Sequence, residues 1–260
     1  MAAYGVGITP LFQLIRNDTK QAAFADDLSG AQKLIILREW WANISTYGPP
    51  LGYFPNASKT WLVVKPHLHA DAARIFEGTG IKITVEGRKH LGGFVGSREA
   101  EERYAISKIE ELTDQVLVLA EIAKTEPHAA YAGFNKGFIH KLNYHIRVIP
   151  EIGTFLASLD QAVQDKLIPA FSDGYICSED ERLLLSLPIK SGGMSIPIFE
   201  TKSTDEYQFS RMACSQLIRN IKSQTVEYLF DMKEATENRE QTARLKKDSL
   251  QQVEDQVRQK

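Results

Sequence analysis

Cysteine is scarce: Cys177 and Cys214 are the only two in 260 residues. They have neither metal-ligand spacing nor the density of a disulfide framework, which leaves a reducing interior as the expected setting. Long apolar runs are missing as well. None approaches the roughly 18 residues that a membrane-crossing helix requires. The start, MAAYGVGITPLFQLIRND, has no charged segment followed by a long apolar one, so no secretory signal is read there. These absences predict an intracellular protein, cytoplasmic or nuclear, with no membrane partner. An excess of charge of one sign is lacking too. With 31 basic against 33 acidic residues the net charge is −2, so any nucleic-acid surface must come from local clustering. What is present, 43% hydrophobic and 25% charged residues, is enough for a buried core.

Along the chain, Tyr4 to Arg16 reads as a short helix weakened by Gly5, Gly7 and Pro10. QAAFADDLSG (21–30) predicts a strand, a tight turn at Asp26 and Asp27, and a second short strand or the start of a helix. Residues 31–47 predict an amphipathic helix with Leu34, Leu37, Trp41 and Ile44 on one face, ended by Gly48-Pro49-Pro50. TWLVVK (60–65) reads as a buried strand, Asp71 to Phe76 as a helix, and IKITVEG (81–87) as a half-buried strand with KHLGGFVG (89–96) as its hairpin partner. From Arg98 the pattern becomes helical, with a period through Ile106, Ile109, Thr113, Val116, Ala120 and Ala123 and further helices near 127–146, 150–168, 179–186 and 203–230. The last stretch, 231–260, is a charged tail, helical or disordered. A domain boundary is placed near residue 97. The fold class expected is α+β, mixed before the boundary and all-helical after it.

Two signals bear on chemistry. Adjacent carboxylates in a hairpin turn could hold divalent cations, although most such pairs are solvated turns. Residues 127–150 contain no acidic residue but hold Lys136, Lys141, Arg147, three histidines and Tyr131, Phe134, Phe138 and Tyr144. Basic groups pair with phosphates and aromatics can stack on bases. The bland alternative puts the aromatics in a helix core and the basic groups on a solvated face. His67 and His69 lack a third partner for zinc and read as surface residues, and the Gly78–Gly80 fragment lacks a phosphate-loop lysine.

The order of motifs resembles the reverse transcriptases of retrotransposons, non-LTR or related. Phe24-Ala25-Asp26-Asp27 is followed by a helix, by Asn56-Ala57-Ser58-Lys59-Thr60 leading into a strand, and by His90-Leu91-Gly92-Gly93 in a hairpin. PHAAYAGF (127–134) and LPIKSGGM (187–194) resemble features that recur after the polymerase core. The resemblance implies a partial palm of short antiparallel strands plus helices (1–97), a helical thumb-like region (98–230) and the tail. It also implies RNA-directed DNA synthesis by nucleotidyl transfer on two Mg²⁺ ions about 3.5–4 Å apart. Asp26 and Asp27 match the metal-binding carboxylates. Lys59 matches a lysine acting at the incoming phosphates. Leu91, Gly92 and Gly93 match the hairpin that seats the primer, with Lys136, Lys141 and Arg147 as further nucleic-acid contacts. The implied partners are an RNA or DNA template–primer and a chain supplying the missing palm and fingers. Only 23 residues precede Phe24. The expectation is therefore a C-terminal fragment, beginning at the end of the nucleotide-checking helix and inactive alone. Two other readings stand beside it: a non-catalytic remnant of a mobile element that binds nucleic acid or a partner, and a purely structural helical protein.

Overall fold

In the computed structural model, which describes residues 2–224 and 231–259, the chain is α+β and about 68% helical, with a few short strands in small sheets. It divides into two compact units. Among the described residues, one comprises 2–88, 95–97 and 216–224, and the other 89–94, 98–215 and 231–259.

The first unit is organised around two helices and a hairpin. Helix α1 (Ala2–Leu14) runs through Pro10, and α2 (Leu34–Tyr47) stops where Gly48 and Pro49 begin a short 3-10 turn. Ile8, Leu11 and Ile15 pack with Trp40 and Ile44 of α2, with Leu28 and Tyr53 at the margin. The core tryptophan is therefore Trp40 rather than Trp41. Strands β1 (Lys20–Phe24) and β2 (Asp27–Ala31) form an antiparallel hairpin in register Phe24↔Asp27, and among the described residues they pair only with each other. Gln21 ties this hairpin to both helices: its amide nitrogen donates to the Phe12 carbonyl (3.0 Å) and its oxygen accepts from Trp40 Nε1 (2.9 Å). A Cβ on Gly30 would lie 2.8 Å from the Trp40 ring, so a glycine lets the indole press on β2. Residues 216–224 join this unit, with Arg16 Nη2 donating to the Gln224 carbonyl and Gln224 Nε2 to that of Gln21.

Strand β3 (Trp61–Val63) pairs with β4 (Lys82–Thr84) across helix α3 (His69–Ile75), and the pairing is parallel. This corrects the expected set of antiparallel strands. The IKITVEG strand does not pair with the segment after Gly87. Instead β5 (Gly87–His90) and β6 (Gly93–Gly96) form their own two-stranded hairpin. A parallel pair needs a crossover, and α3 provides it.

The second unit is helical. Helix α4 (Arg98–Ala123) buries Ile109, Leu112, Val116, Ala120 and Ala123 at three- and four-residue steps. Each large side chain so buried contributes about 1.5–3 kcal/mol. Ile106, expected on that face, is exposed. Helices α5 (Pro127–Gly133) and α6 (Ile139–Val148) are joined by a π turn over Phe134–Phe138, and α7 (Ala157–Ala162) and α8 (Ile168–Phe171) by another over Val163–Leu167. Next come α9 (Glu179–Ser186) and α10 (Phe199–Ala213); α11 (Ser215–Ser223) follows in the chain but from residue 216 belongs to the first unit. The expected helix over 203–230 thus breaks at Cys214, and its last six positions lie outside the described residues. The tail is a helix, α12 (Met232–Gln259), which packs on α10 and α9 without burying a residue fully.

Candidate functional site

The Phe24–Asp27 hairpin turns on two residues, Ala25 and Asp26, with Ala25 at φ 53°. A positive φ at the first turn position matches the twist of the flanking strands. Asp26 is thus in the turn and Asp27 opens β2, one residue away from a turn centred on both. Both aspartates are exposed, as is Phe24 beside them. The Tyr53 hydroxyl donates to the Asp26 carbonyl at 3.3 Å, linking the tip to the loop after α2. Two neighbouring carboxylates fit one hydrated Mg²⁺, which commonly takes one or two carboxylates and keeps several waters. Among the described residues no group of three or more His, Cys, Asp or Glu side chains could hold an ion. A second metal of a polymerase pair would need a further ligand beside these two.

Lys59 ends a 3-10 turn (Ala57–Lys59) and is exposed. The Asn56 side chain organises this turn, accepting from the Lys59 amide (3.2 Å) and the Ser58 hydroxyl (2.8 Å), while the Thr60 hydroxyl donates to the Asn56 carbonyl (2.8 Å). The Asn-x-x-Lys-Thr motif is therefore a self-capped turn that delivers the chain into β3. On that strand Trp61 lies under two cations, with Arg88 4.4 Å and Lys82 5.3 Å from the ring centroid. A groove of about 600 Å³ in the same unit is lined by Arg38, Trp41, Phe54 and Thr79, among others, and by none of the site residues named from sequence.

Leu91 and Gly92 form the turn of the second hairpin, with φ of 47° and 79°. Two tyrosine hydroxyls fasten it: Tyr144 of α6 donates to the Leu91 carbonyl, and Tyr104 of α4 to that of Gly92 at 2.9 Å. The Tyr104 ring also stacks on Phe94 at 5.4 Å. A Cβ on Gly92 would meet Tyr144 at 2.4 Å, so the glycine is needed for this seating as well as for the turn. Gly92→Ala is expected to lift the hairpin from Tyr144, read as faster amide exchange at residues 90–94.

The basic segment is only partly available to a ligand. Phe134 and Phe138 stack at 5.3 Å inside the core, and the Tyr131 hydroxyl donates to the Met194 carbonyl, joining the PHAAYAGF and LPIKSGGM stretches. Lys136 is exposed on the π turn. Lys141 is bonded to Glu111 (3.1 Å) and Gln115 (3.2 Å). Hydrogen bonds from Lys108 and Lys141 hold the Glu111 carboxyl down at about 2. Arg147 makes a two-pronged contact with Glu206 (2.8 and 2.9 Å).

His145, between these two pairs on α6, is buried, and its Nδ1 has no partner among the described residues. Burial, then the charges of Lys108, Lys141 and Lys89 outweighing that of Glu111, lowers its pKa below 6.5. The unfolded chain therefore takes up this proton first. The stability from neutral His145 is complete above pH 6.5 and is lost as pH falls through the lowered folded value. Melting temperatures from pH 7.5 to 5 should show a steeper decline for the wild type than for His145→Leu.

The sequence reading did not single out Tyr104 or Glu206, whose partners lie far away in the chain, and it took Tyr144 and the histidines of 127–150 as candidate nucleic-acid contacts, whereas Tyr144 fastens a hairpin and His145 is buried. No protein-family model, curated protein or solved structure matches the chain. No helix among the described residues is long and apolar enough to cross a membrane.

Proposed function

We propose that this chain contains the metal-binding hairpin and the thumb-like part of a retrotransposon-type RNA-directed DNA polymerase. The observation on which this rests is the exposed hairpin tip, where Asp26 sits in the turn and Asp27 opens β2. The tyrosine-fastened Leu91–Gly93 hairpin supports it, as a glycine-containing turn against which a primer strand can lie. In this reading Asp26 and Asp27 hold Mg²⁺, Lys59 serves the phosphates of the incoming nucleotide, and the helical unit grips the template–primer. The cation would stabilise charge on the attacking and leaving oxygens. The chain's own residues position it and the primer end.

Two carboxylates are too few for the two-metal reaction, so the chain alone is expected not to extend a primer. The test is a chimera in which the palm and fingers of a retrotransposon reverse transcriptase precede residue 1. Template-dependent extension in Mg²⁺, lost on Asp26→Ala, is the expected result. A chimera that binds template–primer yet never extends it would refute the proposal.

A second reading, a binding-only remnant, is favoured by the surplus of cations around Glu111 and Glu206. It calls for template–primer affinity that falls linearly on a log–log salt plot and is indifferent to Asp26→Ala.

A further inference from the structure

Helices α6, α10 and α12 converge on one carboxylate. Glu206 of α10 is only 8% exposed. Its Oε2 accepts from Arg147 Nε and Nη2, and its Oε1 from Lys246 Nζ at 3.0 Å. Burial pushes this carboxyl up, but the hydrogen bonds from Lys246 and Arg147 prevail and hold it below the usual carboxylate range. One turn earlier on α10, Lys202 extends into the same place, and the bond it makes there is to a neutral amide, Asn143 Oδ1 at 3.2 Å. Its pKa is lowered by burial first, and then by Lys246 and Arg147 against Glu206.

Arg147 and Lys246, both partly exposed, bond to Glu206, while the more buried Lys202 feels its charge without bonding to it, so three cations face one carboxylate. An ammonium removed from water is costly unless an anion compensates it. The donors are also in surplus. Arg147 commits two of its five N–H groups to Glu206, while Lys202 and Lys246 each commit one of three to the bonds named above. A purely structural anchor for α12 would need Glu206 and Lys246 alone. Ser249 with Asp205, Glu254 with Ser191 and Asn238 with Ser215 already hold that helix.

We propose that Arg147, Lys202 and Lys246 form a binding site for a phosphate group, with Glu206 as the buried counter-charge that holds the arginine fork and the Lys246 ammonium in place. Arginine offers a planar fork and lysine a point charge, a combination suited to a tetrahedral oxyanion. The site needs neither the Asp26–Asp27 hairpin nor polymerisation. A nucleic-acid backbone or a free phosphate could supply the group.

The experiment is thermal melting of the full chain in inorganic phosphate against chloride at equal ionic strength and pH. With phosphate at about ten times its Kd, linkage should raise the wild-type Tm by roughly 3 °C. Lys202→Met should melt at or above the wild type in chloride, because it removes an uncompensated charge, and should lose the phosphate-dependent rise. Lys246→Met is the second variant, and the same loss is expected. Displacement of phosphate by a single-stranded oligodeoxynucleotide would identify the backbone as the source. No displacement would identify a free phosphate. Either supports the site. An equal wild-type Tm in the two salts, or a rise that persists in both variants, overturns it.

Discussion

Gly193→Ala should severely loosen the helical unit. A Cβ there would lie 2.2 Å from the Leu187 carbonyl oxygen and 2.6 Å from that of Leu184. Both are backbone atoms, so no side-chain rotation relieves the clash. The segment would have to leave the end of α9, giving up the bonds from Met194 and Ile196 to the Leu185 carbonyl and from Ser195 to that of Leu187. The Met194 carbonyl, which accepts from Tyr131, would move with it. The expected loss is about 3–5 kcal/mol, in the range reserved for a named structural lesion. All three tryptophans, Trp40, Trp41 and Trp61, lie in the other unit, so fluorescence is the wrong probe. Amide exchange in α4 and α6 is the right one, and it should accelerate by about two to four orders of magnitude. Wild-type exchange rates in the variant would contradict this packing.

Arg182→Met should be comparably severe. Arg182 is 4% exposed and donates to the Ile196 carbonyl (2.7 Å) and the Pro197 carbonyl (2.8 Å). Nearby, Asp160 of α7 caps α10 from outside, accepting from the Phe199 and Glu200 amides at 2.9 Å. Burial lowers the arginine's pKa and raises the aspartate's, against the attraction between them. Removing the cation strands two buried carbonyls and leaves Asp160 without its compensating charge, a cost of about 3–5 kcal/mol. The raised pKa of Asp160 fixes the sign with pH. Its contribution is full below the ordinary 3.8 and is lost as pH rises through the folded value. Without Arg182 that loss should deepen, so urea unfolding should find the variant's deficit smaller at pH 4.5 than at pH 7. Equal deficits at both would remove Asp160 from the explanation.

These weak points were only partly legible in the sequence. The period of α2 was plain, but its face was not: Leu37 and Ile44 are compatible with Trp40 or Trp41 between them. The hydrogen bond to Gln21 and the gap at Gly30 decide for Trp40. Alternation in IKITVEG marked a strand without marking its partner, and β3 took it in parallel. Gly92 announced a turn, whereas Leu91 at φ 47° did not, since bulky residues rarely adopt that conformation. The acidic pair was visible as a motif, and its turn shifted by one residue. The cationic segment looked free because its carboxylates come from other helices: Glu111 lies 30 residues before Lys141, and Glu206 lies 59 after Arg147. The tail has charge and no apolar stripe, yet polar bonds to α10 and to the loop after α9 hold it helical.

A polymerase role requires the Asp26–Asp27 tip to bind a divalent cation. Titrating the isotopically labelled chain with Mn²⁺ and following amide signals tests this without requiring catalysis. Signals of residues 25–28 should broaden first, and that selectivity should vanish in an Asp26→Ala, Asp27→Ala double variant. Uniform broadening along the chain, or a hairpin that responds identically with and without its carboxylates, would contradict it.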